Sequence, residues 1–145
     1  MASVSTYLNF EGNTEEAFEF YKSVFRTDYL GQGFFRFGDM PAEDGQPPMP
    51  EHLRNQILNV QLPILAGHVL MGTDSVPEWG HAAKVGNNVS IVLHPDSREE
   101  ADEFFSALST GGSVTMPMAD QFWGDYYGSL TDMYDIQWMI SVSAR

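Results

Sequence analysis

Apolar residues recur at the three- and four-residue spacing of one helical face at Ala17, Phe20, Tyr21 and Val24, and again at Ala101, Phe104, Phe105 and Leu108. Asn13 and Ser97 stand where an N-cap side chain can accept an orphan first-turn N–H, with Glu16 and Glu100 three residues on, as in a capping box. The pattern predicts helices over 14–25 and 97–108, with both stripes serving as core packing. Strand-like runs flank them: 4–10 before the first helix and 28–37, 56–64 and 68–74 after it; 88–94 before the second and 113–118, 126–131 and 136–142 after it. Gly67 separates two of these runs, and residues 38–54, with four of the eight prolines, read as a long loop.

The two halves share more than periodicity. Residues 13–21 and 97–105 lie 84 positions apart, and five of the nine positions are identical, where chance gives about one. A βαβββ unit used twice follows. It predicts an α+β fold of two tandem βαβββ modules forming a curved, half-open sheet: one domain over 1–145, with modules at about 1–74 and 88–145 connected by 75–87.

Composition narrows the chemistry. No cysteine is present, which removes thiol nucleophiles, disulfides and cysteine-ligated metals. Seven Lys and Arg against 20 Asp and Glu give 7 − 20 = −13, a charge that repels phosphate backbones and anionic membranes. Neither nucleic acid nor membrane is expected as a partner. Residues 1–30 carry no signal-like apolar run, so a cytoplasmic location is expected. The 3 Trp, 6 Tyr and 10 Phe supply a core for 145 residues. No Gly-x-Ser-x-Gly elbow, P-loop or Rossmann fingerprint occurs; Gly31-Gln32-Gly33 precedes an aromatic run, not a helix.

Several segments resemble the vicinal-oxygen-chelate (glyoxalase/bleomycin-resistance/dioxygenase) superfamily, and within it the PhnB-like, or demethylubiquinone-methyltransferase-like, branch. They are Tyr7-Leu8-Asn9-Phe10-Glu11-Gly12-Asn13, Glu16-Ala17 with Phe20-Tyr21, and Phe37-Gly38-Asp39-Met40-Pro41. Near the end come Gln121-Phe122-Trp123-Gly124-Asp125, Tyr127-Gly128, Thr131-Asp132 and Trp138-Met139-Ile140. The resemblance covers almost the whole chain. One departure is Asp132-Met133-Tyr134-Asp135, where the family has Asp-Pro-Phe-Gly; Asp135 can still take a left-handed turn conformation.

The resemblance implies a homodimer and, in metal-dependent relatives, His, Gln or Glu ligands on the first and last strands of each module. Those positions carry over to Thr6, Met71, Ser90 and Met139, none of which suits a catalytic divalent ion. The histidines, at 52, 68, 81 and 94, show no ligand spacing, although His68 could meet Asp74 or Glu78 in space. No metal and no cofactor are therefore expected. The methyltransferase label gains nothing, because no glycine loop of nucleotide-binding type could cradle S-adenosylmethionine. The expected function is binding of a small organic molecule without a catalytic metal. The alternative is a metal-dependent glyoxalase-type lyase, isomerase or dioxygenase. Candidate ligand residues are Trp123, Asp125 and Tyr127, with Phe10, Phe37 and Trp138 as walls; Gly124 and Gly128 would let the backbone turn and approach a ligand.

Overall fold

The computed structural model describes residues 1–41 and 44–143, and the chain falls into two compact units, Met1–Lys84 and Val85–Arg145. In the first unit the order is β1 (Thr6–Phe10), α1 (Thr14–Phe25), β2 (Phe35–Arg36), the short helix α2 (Glu51–Arg54), β3 (Ile57–Pro63) and β4 (Val69–Asp74). The second unit runs β5 (Ile91–Leu93), α3 (Arg98–Ser109), β6 (Ser113–Asp120), β7 (Tyr126–Thr131) and β8 (Gln137–Val142). Each unit holds a four-stranded mixed sheet, ordered β1-β4-β3-β2 in one and β5-β8-β7-β6 in the other, and neither sheet is closed. In both, the leading strand pairs parallel with the last, and the remaining pairs are antiparallel. This is the α+β arrangement of two βαβββ modules that the repeat predicts. The helices α1 and α3 each span 12 residues, and their first residues lie 98 − 14 = 84 apart.

One face of each sheet is covered by the unit's own helix. In the first unit α1 packs on β3 and β4, and Ala17, Phe18 and Tyr21 of the helix and Val60, Leu62 and Leu70 of the strands are all fully buried; each large side chain so removed from water is worth about 1.5–3 kcal/mol. Gly72 is small because Phe18 lies against it: a Cβ there would come within 2.4 Å of the Phe18 ring. In the second unit Ala101 and Leu108 of α3 are buried, as are Leu130, Trp138 and Ile140 of the sheet.

The two helices are capped differently. Ser97 accepts the Glu100 N–H through its hydroxyl at 3.1 Å, as expected. Asn13 makes no side-chain cap. Its role falls to Asp74, whose Oδ1 accepts the Gly12 and Thr14 N–H groups at 3.0 and 3.1 Å and the Thr14 hydroxyl at 2.6 Å. Oδ2 of the same carboxylate accepts the Ile57 N–H at 2.8 Å, so one buried acid ties together the end of β4, the start of α1 and the start of β3. Arg36 of β2 adds an exposed bidentate pair with Glu15, and the guanidinium hydrogen bond holds the Glu15 carboxyl below its ordinary range.

Three expectations change. The run 28–37 contributes only Phe35–Arg36 to the sheet, because Gly31 and Gly33 take positive φ and turn the chain. The Leu30 N–H still reaches the Gln61 carbonyl. Part of the expected loop 38–54 is helical, with Leu53 of α2 buried beside Phe37 and Val76; residues 42 and 43 of it lie outside the described residues.

The third change concerns the leading strands. Leu8 and Phe10 are buried in β1, whereas in β5 Leu93 is buried and Val92 is 44% exposed. An offset of 84 would match Leu8 with Val92, so the strands repeat at an odd offset that differs from the helices' offset. A one-residue slip exchanges the two faces of a strand. Thr6 therefore lies on the buried-face side of β1, and Ser90, by alternation with Leu93, on the uncovered side of its sheet; the two are not equivalent positions.

Candidate functional site

In the second unit the face turned away from α3 is built by alternation. Tyr127, Ser129 and Thr131 of β7 point opposite to the buried Gly128 and Leu130, and Met139 and Ser141 of β8 point opposite to Trp138 and Ile140. Cross-strand register sets Tyr127 beside Ser141 and Ser129 beside Met139. The Ser129 and Thr115 hydroxyls share a hydrogen bond of 2.6 Å. His94, just beyond β5, contacts the Ser141 carbonyl at 3.3 Å through Nδ1; a carbonyl only accepts, so Nδ1 carries the proton in that contact.

The turn between β6 and β7 rises at the Tyr127 end of this face. It is closed by the Gln121 N–H to the Asp125 carbonyl at 2.8 Å and the Gly124 N–H to the Gln121 carbonyl at 2.9 Å. Gly124 has φ of 103°, which disfavours any side chain there. The turn displays Phe122, 98% exposed, and Trp123, 52% exposed. Their rings meet edge to face at 5.0 Å, and Trp123 meets Tyr127 at 6.2 Å. The Trp123 indole N–H donates to Asp125 Oδ2 at 3.2 Å. On the helix side, Tyr126 donates its hydroxyl to Asp102 of α3 at 2.6 Å, a bond that raises the phenol's pKa. Arg98 pairs with Asp120 and stacks over Tyr126, 4.5 Å from the ring centre. These contacts anchor both strand ends that carry the turn.

Of the six residues singled out in the sequence, the structure brings Trp123, Asp125 and Tyr127 into one cluster. The other three are interior. Phe10 is 6% exposed on the buried side of β1. Phe37, also 6% exposed, packs with Leu53 and Val76 under the Trp79 ring. Trp138 is fully buried, with its indole N–H on Asp132 Oδ2 at 2.8 Å. Side-chain alternation explains Phe10 and Trp138, and α2, unexpected from the proline-rich run, explains Phe37. Gly128 also differs from expectation: its φ is not positive, and a Cβ there would fall 2.6 Å from the Met118 sulfur and 2.9 Å from the Phe105 ring. It makes room for Phe105 of α3 and Met118 of β6. Asp135 takes φ of 69°, the left-handed turn expected of it. Sequence reading did not pair His94 with Ser141 or Thr115 with Ser129, because strand register alone brings them together.

The fit to a divalent metal is poor. On the uncovered faces the leading and last strands offer Tyr7, Asn9, Val69, Met71, Thr73, Val92, Gln137, Met139 and Ser141; the Gln137 amide is engaged with the Gly86 and Val89 carbonyls, and His94 is the imidazole just beyond β5. Among the described residues no three of His, Asp and Glu come together. Glu78 meets His52 at 2.9 Å, not His68, which instead contacts the Thr6 hydroxyl at 2.8 Å.

Two βαβββ units with mixed, unclosed sheets define a protein of the vicinal-oxygen-chelate fold, shared with solved fosfomycin-resistance and glyoxalase-related proteins. More narrowly, the chain belongs to the family described as 3-demethylubiquinone-9 3-methyltransferase, the PhnB-like branch, whose model matches residues 2–141. It is similar to Protein YjdN of Escherichia coli (strain K12), 30% identical over 96% of this chain and 94% of that protein. The crystal structure of PA1353 from Pseudomonas aeruginosa matches with a TM-score of 0.82 at 30% identity, covering 99% of this chain and 98% of the other. A PhnB protein from Bacillus cereus matches at 0.74 and 25%, covering 98% and 100%.

Proposed function

We propose that the chain binds a small organic molecule without a catalytic metal, at the uncovered face of the second sheet beside Trp123, Asp125 and Tyr127. The observation that carries this reading is the turn itself. Phe122 contacts Trp123 and Trp123 contacts Tyr127, yet Phe122 and Trp123 remain open to solvent, on a strand pair anchored by Arg98 and Asp102. Aromatic faces beside a few fixed polar groups are what a small-ligand site requires. Methyl transfer, which the family's description names, has no support in the βα connections: Glu11-Gly12-Asn13 and His94-Pro95-Asp96-Ser97 form no glycine-rich loop of nucleotide-binding type that could cradle S-adenosylmethionine.

A thermal-shift screen of aromatic and hydrophobic compounds on purified protein tests the reading. A ligand at 100 times its Kd is expected to stabilise by about 2.7 kcal/mol. A screen without any shift, together with stoichiometric Zn, Ni, Mn or Fe in protein prepared without chelator, would overturn it in favour of metal-dependent chemistry.

The same reading includes a homodimer. Each sheet has open edges, and β6 is exposed along nearly its whole length, with Val114 and Met116 at 47% and 42%; such edges are commonly covered by a second chain. Sedimentation at micromolar concentration is expected to give twice the 16.2 kDa chain mass. A single species at the chain mass would remove the dimer.

A further inference from the structure

We propose that the molecule taken at the β6–β7 turn is an organic cation, a substituted ammonium group held by the face of Trp123 and the carboxylate of Asp125. This rests on the small-molecule reading above and narrows it to a chemical class.

Three observations converge. The first is charge: residues 85–145 contain nine carboxylates against two arginines, Arg98 and Arg145, a formal 2 − 9 = −7. That net field disfavours an anionic ligand and favours a cation. The second is pairing. Asp120 has Arg98, Glu15 has Arg36 and Asp28 has Lys22, and Asp102 and Asp132 accept protein donors. Among the described residues Asp125 has no cationic partner, and its side chain accepts one bond there, from the Trp123 indole to Oδ2, which leaves Oδ1 available.

The third is electronic. An N–H donating to a carboxylate pushes electron density into the indole, which makes its face a better seat for positive charge. Trp123, half exposed and fixed edge to face by Phe122 and Tyr127, offers such a face within reach of the same carboxylate. A neutral aromatic ligand would use the ring and leave the charge of Asp125 idle.

The test is an NMR titration of the full chain with choline and, in parallel, its uncharged carbon isostere 3,3-dimethylbutan-1-ol. The signal followed is the Trp123 indole N–H, assigned through Trp123→Phe. Choline is expected to move that signal with an apparent Kd about tenfold below that of the isostere. Asp125→Asn, which keeps an acceptor for the indole, should bring the two compounds within about twofold, and Asp125→Glu should retain the preference. Equal response to both compounds overturns the cation assignment while leaving small-molecule binding intact. A choline preference that survives Asp125→Asn removes Asp125 from the site and overturns the proposal. No response to either compound also overturns it; if the thermal-shift screen is blank as well, the broader reading falls with it.

Discussion

Replacing Asp74 by Ala is expected to destabilise the protein by about 3–5 kcal/mol, the range for removing one partner of a buried, charge-assisted network. The carboxylate is 3% exposed and accepts four hydrogen bonds, from Gly12, Thr14 (twice) and Ile57. Alanine removes the acceptor of three backbone N–H groups and one hydroxyl, two of those N–H groups at the start of α1, where Asn13 makes no side-chain cap. Urea denaturation of wild type and variant measures the loss. Asn13→Ala, by contrast, should change stability by less than about 0.5 kcal/mol, since Asn13 makes no cap. A large effect of Asn13→Ala with a small one of Asp74→Ala would reverse this account of the helix start.

Trp138→Ala is expected to cost a similar amount, about 3–5 kcal/mol, the usual range for emptying a buried aromatic site. The ring is fully buried, and its N–H satisfies Asp132 Oδ2 at 2.8 Å. Oδ1 of that acid accepts the Tyr134 and Ile136 N–H groups of the turn into β8. Trp138→Phe fills most of the volume but withdraws the indole donor, and should cost about 1.5–3 kcal/mol, the value of a hydrogen bond to a charged group. Neither variant should alter ligand affinity at the β6–β7 turn beyond its effect on folding. A Trp138→Phe protein of wild-type stability that no longer binds would restore Trp138 to a ligand wall.

The α+β class, both long helices and the repeat could be read from the chain because they rest on local periodicity: the stripes at Ala17 and Ala101 and the identical Glu-Glu-Ala steps recur at fixed spacing. What could not be read depends on partners far away in sequence. Asn13 has the right chemistry for a cap, yet Asp74, 61 residues further along, outcompetes it because β4 ends beside the helix start. The strand-like run at 28–37 is aromatic enough to pair, but two glycines at positive φ spend most of it on a turn. Trp123, Asp125 and Tyr127 were legible as a group because they are near neighbours on one hairpin. Phe10 and Trp138 turned out interior because an aromatic on a strand faces the core or the open side by parity alone, and parity depends on a register that one residue can reverse; Phe37 turned out interior because Leu53 of the unforeseen α2 packs on it.

That sensitivity bears on how this chain's two halves could diverge. If they descend from one ancestral module, a single codon gained or lost between strand and helix would have traded the lining of one half for its core while leaving the helix undisturbed. Chemistry assembled on one copy before such an event could not be inherited intact by the other, and each half would then adapt under separate selection. A search that folds the two halves onto each other by their helices will therefore inspect the wrong side of one leading strand.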